Sequence, residues 1–263
     1  MTAGYGVVGT GPVVILVHSS VSGRRQWRSL TALLEDRFRV VALDLIGYGE
    51  TPAWAEGRPQ QLSDQSALVH EVVDEVGAPL ALVGHSLGGS VALCAAAELG
   101  DRLPGLVLLE PNPFSLLDET APEEYREAAA LRDAVKSAGD SGDWAAAAER
   151  FADYWNGAGT WAAMDDARRD AFGAALKPNY HEWDAVMGAP VWRYVSAVAA
   201  ATHVVSAHDT VQPIARIVTM LEEMRSDWKF SRLDGGGHMA PLTRPELVNP
   251  IVASALDDLV RRS

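Results

Sequence analysis

The stretch Leu80-Ala81-Leu82-Val83-Gly84-His85-Ser86-Leu87-Gly88-Gly89-Ser90-Val91-Ala92-Leu93 decides how the chain is read. Leu80–Val83 is a short, continuous apolar run, as expected of a strand buried on both faces. Ser90–Leu99 has a helical pattern. Gly84, Ser86 and Gly88 join the two as G-x-S-x-G, a motif whose meaning depends on this strand–turn–helix setting. A turn this tight forces the serine into a strained backbone conformation, and its neighbours must be small, which glycine supplies. Ser86 would then stand above the sheet edge at the start of a helix, where unpaired N–H groups face a developing oxyanion. Ser86 is therefore the candidate nucleophile.

Outward from this turn the same rhythm continues. Val13–Val17, Arg39–Leu43, Leu106–Leu109 and His203–Ser206 are further buried-strand runs, and strict polar/apolar alternation is absent from them. Helical stretches lie between them at Gln26–Leu34, Leu62–Val76, Ile214–Met224 and Pro245–Val260. Strand–helix alternation predicts an α/β fold, a mostly parallel sheet flanked by helices on both faces. From about Phe114 to Pro190 the rhythm breaks. No strand is evident there, and helical periodicity runs through Ala121–Lys136, Trp144–Trp155 and Asp165–Leu176. Residues 114–190 are read as a helical cap inserted into a core made of 1–113 and 191–263.

Composition bounds the function. The 263 residues carry 22 Lys and Arg against 35 Asp and Glu, a formal charge of −13. That excess argues against nucleic acid and anionic membrane, both polyanions. The single cysteine, Cys94, excludes an internal disulfide framework and a cysteine-rich metal site; in the helix after the turn it reads as a small buried hydrophobe. The N-terminus has no basic region ahead of its apolar run, and no window is long and apolar enough to span a bilayer. These features predict a cytoplasmic protein without a cysteine-based metal site; a small-molecule substrate, no cofactor, no metal and a monomer or homodimer are the further expectations. Gly4-Tyr5-Gly6-Val7-Val8-Gly9 matches G-x-G-x-x-G in letters only; it precedes the first strand and reads as a hairpin turn.

Three more motifs follow predicted strands or precede the last helix. They are His18-Ser19-Ser20, Asp44-Leu45-Ile46-Gly47-Tyr48-Gly49-Glu50-Thr51, and Gly235-Gly236-Gly237-His238-Met239-Ala240-Pro241. Taken in order with Gly84–Gly89, they make the chain resemble the α/β-hydrolase-fold superfamily along essentially its whole length. The resemblance is nearest to cofactor-independent bacterial esterase-like members with a short helical cap. It implies Ser86 as nucleophile, His238 as general base, and the backbone N–H groups of Leu87 and Ser20 as the oxyanion hole. Ser19 stands where the family usually has glycine, so the hydroxyls of Ser19, Ser20 and Ser22 become candidate extra donors. Serine at the elbow argues against dehalogenase and epoxide hydrolase chemistry, which in this fold typically uses aspartate there.

Of the seven histidines, His238 is singled out by its glycine-rich loop late in the chain, where the order Ser…acid…His requires it. Two carboxylates compete as the acid. Asp209 follows the strand before the penultimate helix, the usual family position, and is preferred. Glu110 ends the strand Leu106–Leu109, where some dehalogenase-like and lactonase-like relatives place theirs. Ser19, His85, Trp155, Trp183, Trp27 and Met239 are the expected pocket residues. The expected function is hydrolysis of an ester or lactone of a small to medium apolar or amphipathic molecule through an acyl-enzyme. C–C bond hydrolysis, acyl transfer and perhydrolysis would use the same residues, and a non-catalytic ligand-binding or sensor protein is the alternative of another class.

Overall fold

The continuous apolar runs become the centre of one seven-stranded sheet in a computed structural model that describes residues 2–118, 120–188 and 190–262. The strands are β1 (Gly4–Val8), β2 (Val13–Val17), β3 (Arg39–Asp44), β4 (Ala81–His85), β5 (Gly105–Leu109), β6 (Ala201–Ala207) and β7 (Lys229–Leu233). Their order is β1-β3-β2-β4-β5-β6-β7. Only β1 pairs antiparallel, with β3; every other pairing is parallel. Successive residues of a strand face opposite sides, and the core divides accordingly. Ile15, Val17, Leu82, Leu106 and Leu108 join one buried cluster, while Val14, Leu16, Val83, Val107 and Leu109 join the other.

Two edge strands depart from expectation. Gly4–Val8, read as a hairpin turn, forms β1, and Lys229–Leu233 forms β7 without having been anticipated. Both are only partly buried, so neither carries the apolar run that marks a strand covered on both faces.

Helices α1 (Arg28–Leu34) and α11 (Pro245–Arg262) pack together and contribute to the second cluster, whereas α2 (Leu62–Val76), α3 (Leu87–Leu99) and α9 (Gln212–Met224) contribute to the first. α3 is apolar or small nearly all round and buried along almost its whole length, as expected of a helix enclosed on every side. Between β5 and β6 the described residues hold only helical elements: a 3-10 turn at Phe114–Leu116, then α4 (Pro122–Ser141), α5 (Ala145–Asn156), α6 (Asp166–Leu176), α7 (Asn179–Gly188) and α8 (Val191–Ala197). The unanticipated α7 lies within residues 114–190, the stretch read above as a cap, and α8 packs on α3. A last short helix, α10 (Ala240–Thr243), follows the glycine-rich loop. Among the described residues no helix is long and apolar enough to cross a membrane.

Candidate active site

The glycines around Ser86 are fixed by close packing. A Cβ on Gly84 would stand 2.2 Å from the Gly88 carbonyl oxygen, and one on Gly88 would stand 2.2 Å from that of Val17. Backbone at those distances cannot yield, so the strand-to-helix turn exists only with glycine at both places. Ser86 sits between them at φ 55 and ψ −119, in the left-handed region that a side chain rarely adopts. Its N–H donates to the Leu109 carbonyl at 3.0 Å, which ties the turn to the end of β5.

His238 meets Ser86 from the loop before α10. Its Nε2 lies 2.9 Å from Ser86 Oγ, and its Nδ1 lies 2.9 Å from Glu110 Oε2. All three side chains are buried. The preference for Asp209 as the partner of His238 is therefore corrected: the imidazole is held by Glu110. Asp209 lies two residues beyond the end of β6, is exposed, and accepts from the N–H groups of Gly236 and Gly237 at 3.2 and 2.8 Å. It shapes the loop that carries His238 instead of touching the imidazole. Glu110 sits directly at the end of β5 at φ 45, next to the strand that carries Ser86. A buried carboxylate needs its lone pairs met. Here Oε1 accepts from the Ala207 N–H at 2.6 Å, and Oε2 accepts from the Thr210 hydroxyl at 2.5 Å as well as from His238. No sequence signal marked Thr210.

Leu87 and Ser20, the two residues expected to supply oxyanion donors, both line the cavity at Ser86. Leu87 opens α3, so its N–H has no carbonyl one turn earlier in the helix to meet. Ser20 lies in the loop after β2. Its hydroxyl is committed to Glu182 Oε2 at 2.6 Å, and the Ser19 hydroxyl and N–H are both committed to Gln26 Oε1 at 2.9 Å. The hydroxyls of Ser19 and Ser20 thus bond protein groups and are not the extra donors anticipated, whereas Ser22, the third candidate, lines the cavity.

Two expected pocket residues lie elsewhere. Trp27 is buried beneath the sheet with Leu30 and Leu34. His85 is fully buried, with Nδ1 3.1 Å from Gln26 Nε2 and Nε2 donating to the His238 carbonyl at 2.9 Å. It holds the backbone of His238 rather than a ligand. Ser19, Trp155, Trp183 and Met239 do line a cavity of about 220 Å³ above Ser86, together with Ser20, Leu87 and His238. The Trp155 ring from α5 lies over the His238 imidazole, centroids 4.2 Å apart, and shields it from water. Glu182 and Asn179 from α7 complete the wall. Burial raises the Glu182 carboxyl above the usual range. Among the described residues no group of three His, Cys, Asp or Glu side chains could hold a metal ion.

A model of the alpha/beta hydrolase family matches residues 14–251. The chain belongs to that family. Haloalkane dehalogenase 2 of Mycobacterium tuberculosis is 35% identical over 130 residues, covering 44% of this chain and 44% of the dehalogenase. The match therefore spans less than half the length of that relative. Lipase LipV of the same organism is 29% identical over 272 residues, 94% of each chain. Among solved structures, a bromoperoxidase from Bacillus anthracis superposes with a TM-score of 0.82 at 20% identity, over 97% of this chain and 95% of that one. That last likeness bears on the fold alone.

Three histidines of this hydrolase fold are held neutral by burial. His18 and His203 are lowered to about 4, and His85 is pushed well below its ordinary value. An unfolded imidazole titrates near about 6.5. Between about pH 6.5 and 4 the unfolded chain binds more protons than the folded one, so stability falls on acidification through that window. The urea unfolding midpoint should drop steadily from pH 7 to pH 4. A midpoint that stays flat down to pH 4.5 would mean that these side chains are not buried as neutral groups.

Proposed function

We propose that the protein is a serine hydrolase cleaving esters or lactones of small to medium apolar or amphipathic molecules. The observation that carries this reading is the unbroken line from Ser86 Oγ through His238 to Glu110, with contacts of 2.9 Å on each side of the imidazole. Ser86 Oγ attacks the carbonyl carbon while His238 Nε2 takes its proton. The carbonyl oxygen becomes an oxyanion received by the N–H groups of Leu87 and Ser20. His238, now an imidazolium held by Glu110, returns the proton to the leaving oxygen as the ester bond breaks. Water then gives a proton to His238 and attacks the acyl carbon, and His238 returns that proton to Ser86 Oγ as the acyl bond breaks, which releases the acid and restores Ser86. An alkoxide-like nucleophile is suited to carbonyl carbon, which favours acyl chemistry over displacement at a carbon–halogen bond.

The cavity sets the size class. At about 220 Å³ it exceeds the volume that encloses benzene, about 150 Å³, by less than half. A panel of p-nitrophenyl esters from acetate to laurate tests this. Acetate to hexanoate should be hydrolysed with an initial burst of nitrophenol stoichiometric with enzyme. kcat/KM for laurate should be at least about tenfold lower, the scale at which a pocket rejects added methylenes. No release from any member of the panel would overturn the esterase reading.

A further inference from the structure

We propose that Glu182 is a positioning residue: it ties cap helix α7 to the loop after β2, so that the Ser20 N–H is aimed at the reacting oxygen while α7 is seated. This deepens the serine-hydrolase reading and rests on it.

The loop needs holding. No glycine occurs between His18 and Gly23, yet Val21 takes φ 58. A β-branched residue in that region is strained and persists only where its surroundings fix it. Three side chains do so. Gln26 accepts from the Ser19 N–H and hydroxyl, and the Tyr48 phenol accepts from the Val21 N–H at 3.0 Å. Both of those belong to the core. The third is Glu182, whose Oε2 accepts from the Ser20 hydroxyl at 2.6 Å across 162 residues of sequence. It alone comes from the cap.

Glu182 is a poor choice for stability. It is 1% exposed, and none of the ion pairs among the described residues includes it. Asn179 Nδ2 donates to Oε2 at 2.6 Å and the Tyr48 phenol bonds the carboxyl as well, whereas no hydrogen bond reaches Glu182 Oε1 or Asn179 Oδ1 among the described residues. An apolar side chain at this place would avoid an unmet buried acceptor. What the carboxyl supplies is the bond to Ser20, whose own N–H is one of the two proposed oxyanion donors. Seating α7 and completing the oxyanion hole then become one event.

Four variants test this: Glu182→Gln, Glu182→Leu, Ser20→Ala and the double variant Ser20→Ala/Glu182→Leu. Gln keeps an oxygen to accept from Ser20. Each protein is titrated with a fluorophosphonate, so that kcat refers to reactive Ser86 only. Glu182→Gln should keep kcat within about threefold. Glu182→Leu and Ser20→Ala should each lower kcat by about 10- to 100-fold, less than outright loss of an oxyanion donor, with KM within about threefold. Affinity for phenylboronic acid, which adds to Ser86 as a tetrahedral anion, should fall in parallel with kcat. The double variant should be no worse than the more impaired single one, since each single change already deletes the Ser20–Glu182 bond. Unchanged kcat per titrated site in Glu182→Leu and Ser20→Ala overturns the proposal, as does an equal loss in Glu182→Gln, or losses that multiply in the double variant. If Glu182→Leu fails to fold, Ser20→Ala deletes the same bond from the loop side and decides alone. A wild-type protein that does not titrate at all shows instead that the serine-hydrolase reading has failed, and the positioning role falls with it.

Discussion

Ser86→Ala is expected to lower kcat for p-nitrophenyl acetate by about 10⁴- to 10⁶-fold, with KM little changed. The loss is expected to be that large because, in the proposed mechanism, the hydroxyl oxygen is the atom that bonds to the substrate. Without it His238 can only activate water from a position set for serine. The residual rate reflects binding and the oxyanion donors, which the substitution leaves in place. Folding should be untouched. The Ser86 side chain bonds only His238 within the described residues, and alanine meets the same backbone strain at φ 55 as serine does. Circular dichroism and the thermal midpoint of the variant should match the wild type. A retained kcat would place the chemistry elsewhere.

Glu110→Gln is expected to lower kcat by about 10³- to 10⁴-fold, whereas Asp209→Asn should cost less than about tenfold. The asymmetry follows from proton placement. Glu110 accepts from His238 Nδ1, which leaves Nε2 unprotonated toward Ser86 Oγ. In Glu110→Gln, one amide oxygen can still accept from the Ala207 N–H, which turns the amide N–H₂ toward Thr210 and His238. Nδ1 must then accept, the imidazole proton moves to Nε2, and that nitrogen can no longer take the serine proton. Asp209→Asn weakens a brace on the Gly236–Gly237 backbone but alters no proton on the imidazole. Steady-state kinetics on both variants separates the two carboxylates, and a larger loss for Asp209→Asn would contradict the geometry.

The choice between these carboxylates marks where sequence reading stops. Ser86 was legible because glycine spacing reports backbone that cannot accommodate a side chain, and Gly84 and Gly88 are such positions; His238 was singled out by its glycine-rich loop late in the chain. The acid was not, because two strands end in carboxylates and only the register decides which one reaches His238. Glu110 continues the ladder beside β6 through its N–H to the Val205 carbonyl, while Asp209 has already turned away into the loop. The inner strands were legible because they are buried on both faces. Edge strands β1 and β7 were not, since Gly4-Tyr5-Gly6 and Lys229-Phe230-Ser231-Arg232 carry no such run. Helix α7 was missed, and with it Glu182. A single carboxylate in the cap reads as a solvated face until the fold shows it buried against Ser20.

In the proposed mechanism Ser86 and His238 exchange the proton while Glu110 holds the imidazole. The rate at which a fluorophosphonate phosphonylates the protein, with the modified residue located by peptide mass spectrometry, measures this most directly. The modified residue should be Ser86. The rate constant should fall by at least about 10²-fold in Glu110→Gln and stay within about tenfold in Asp209→Asn. Modification at another residue, no modification of the folded protein, or an Asp209→Asn loss exceeding that of Glu110→Gln would contradict the account.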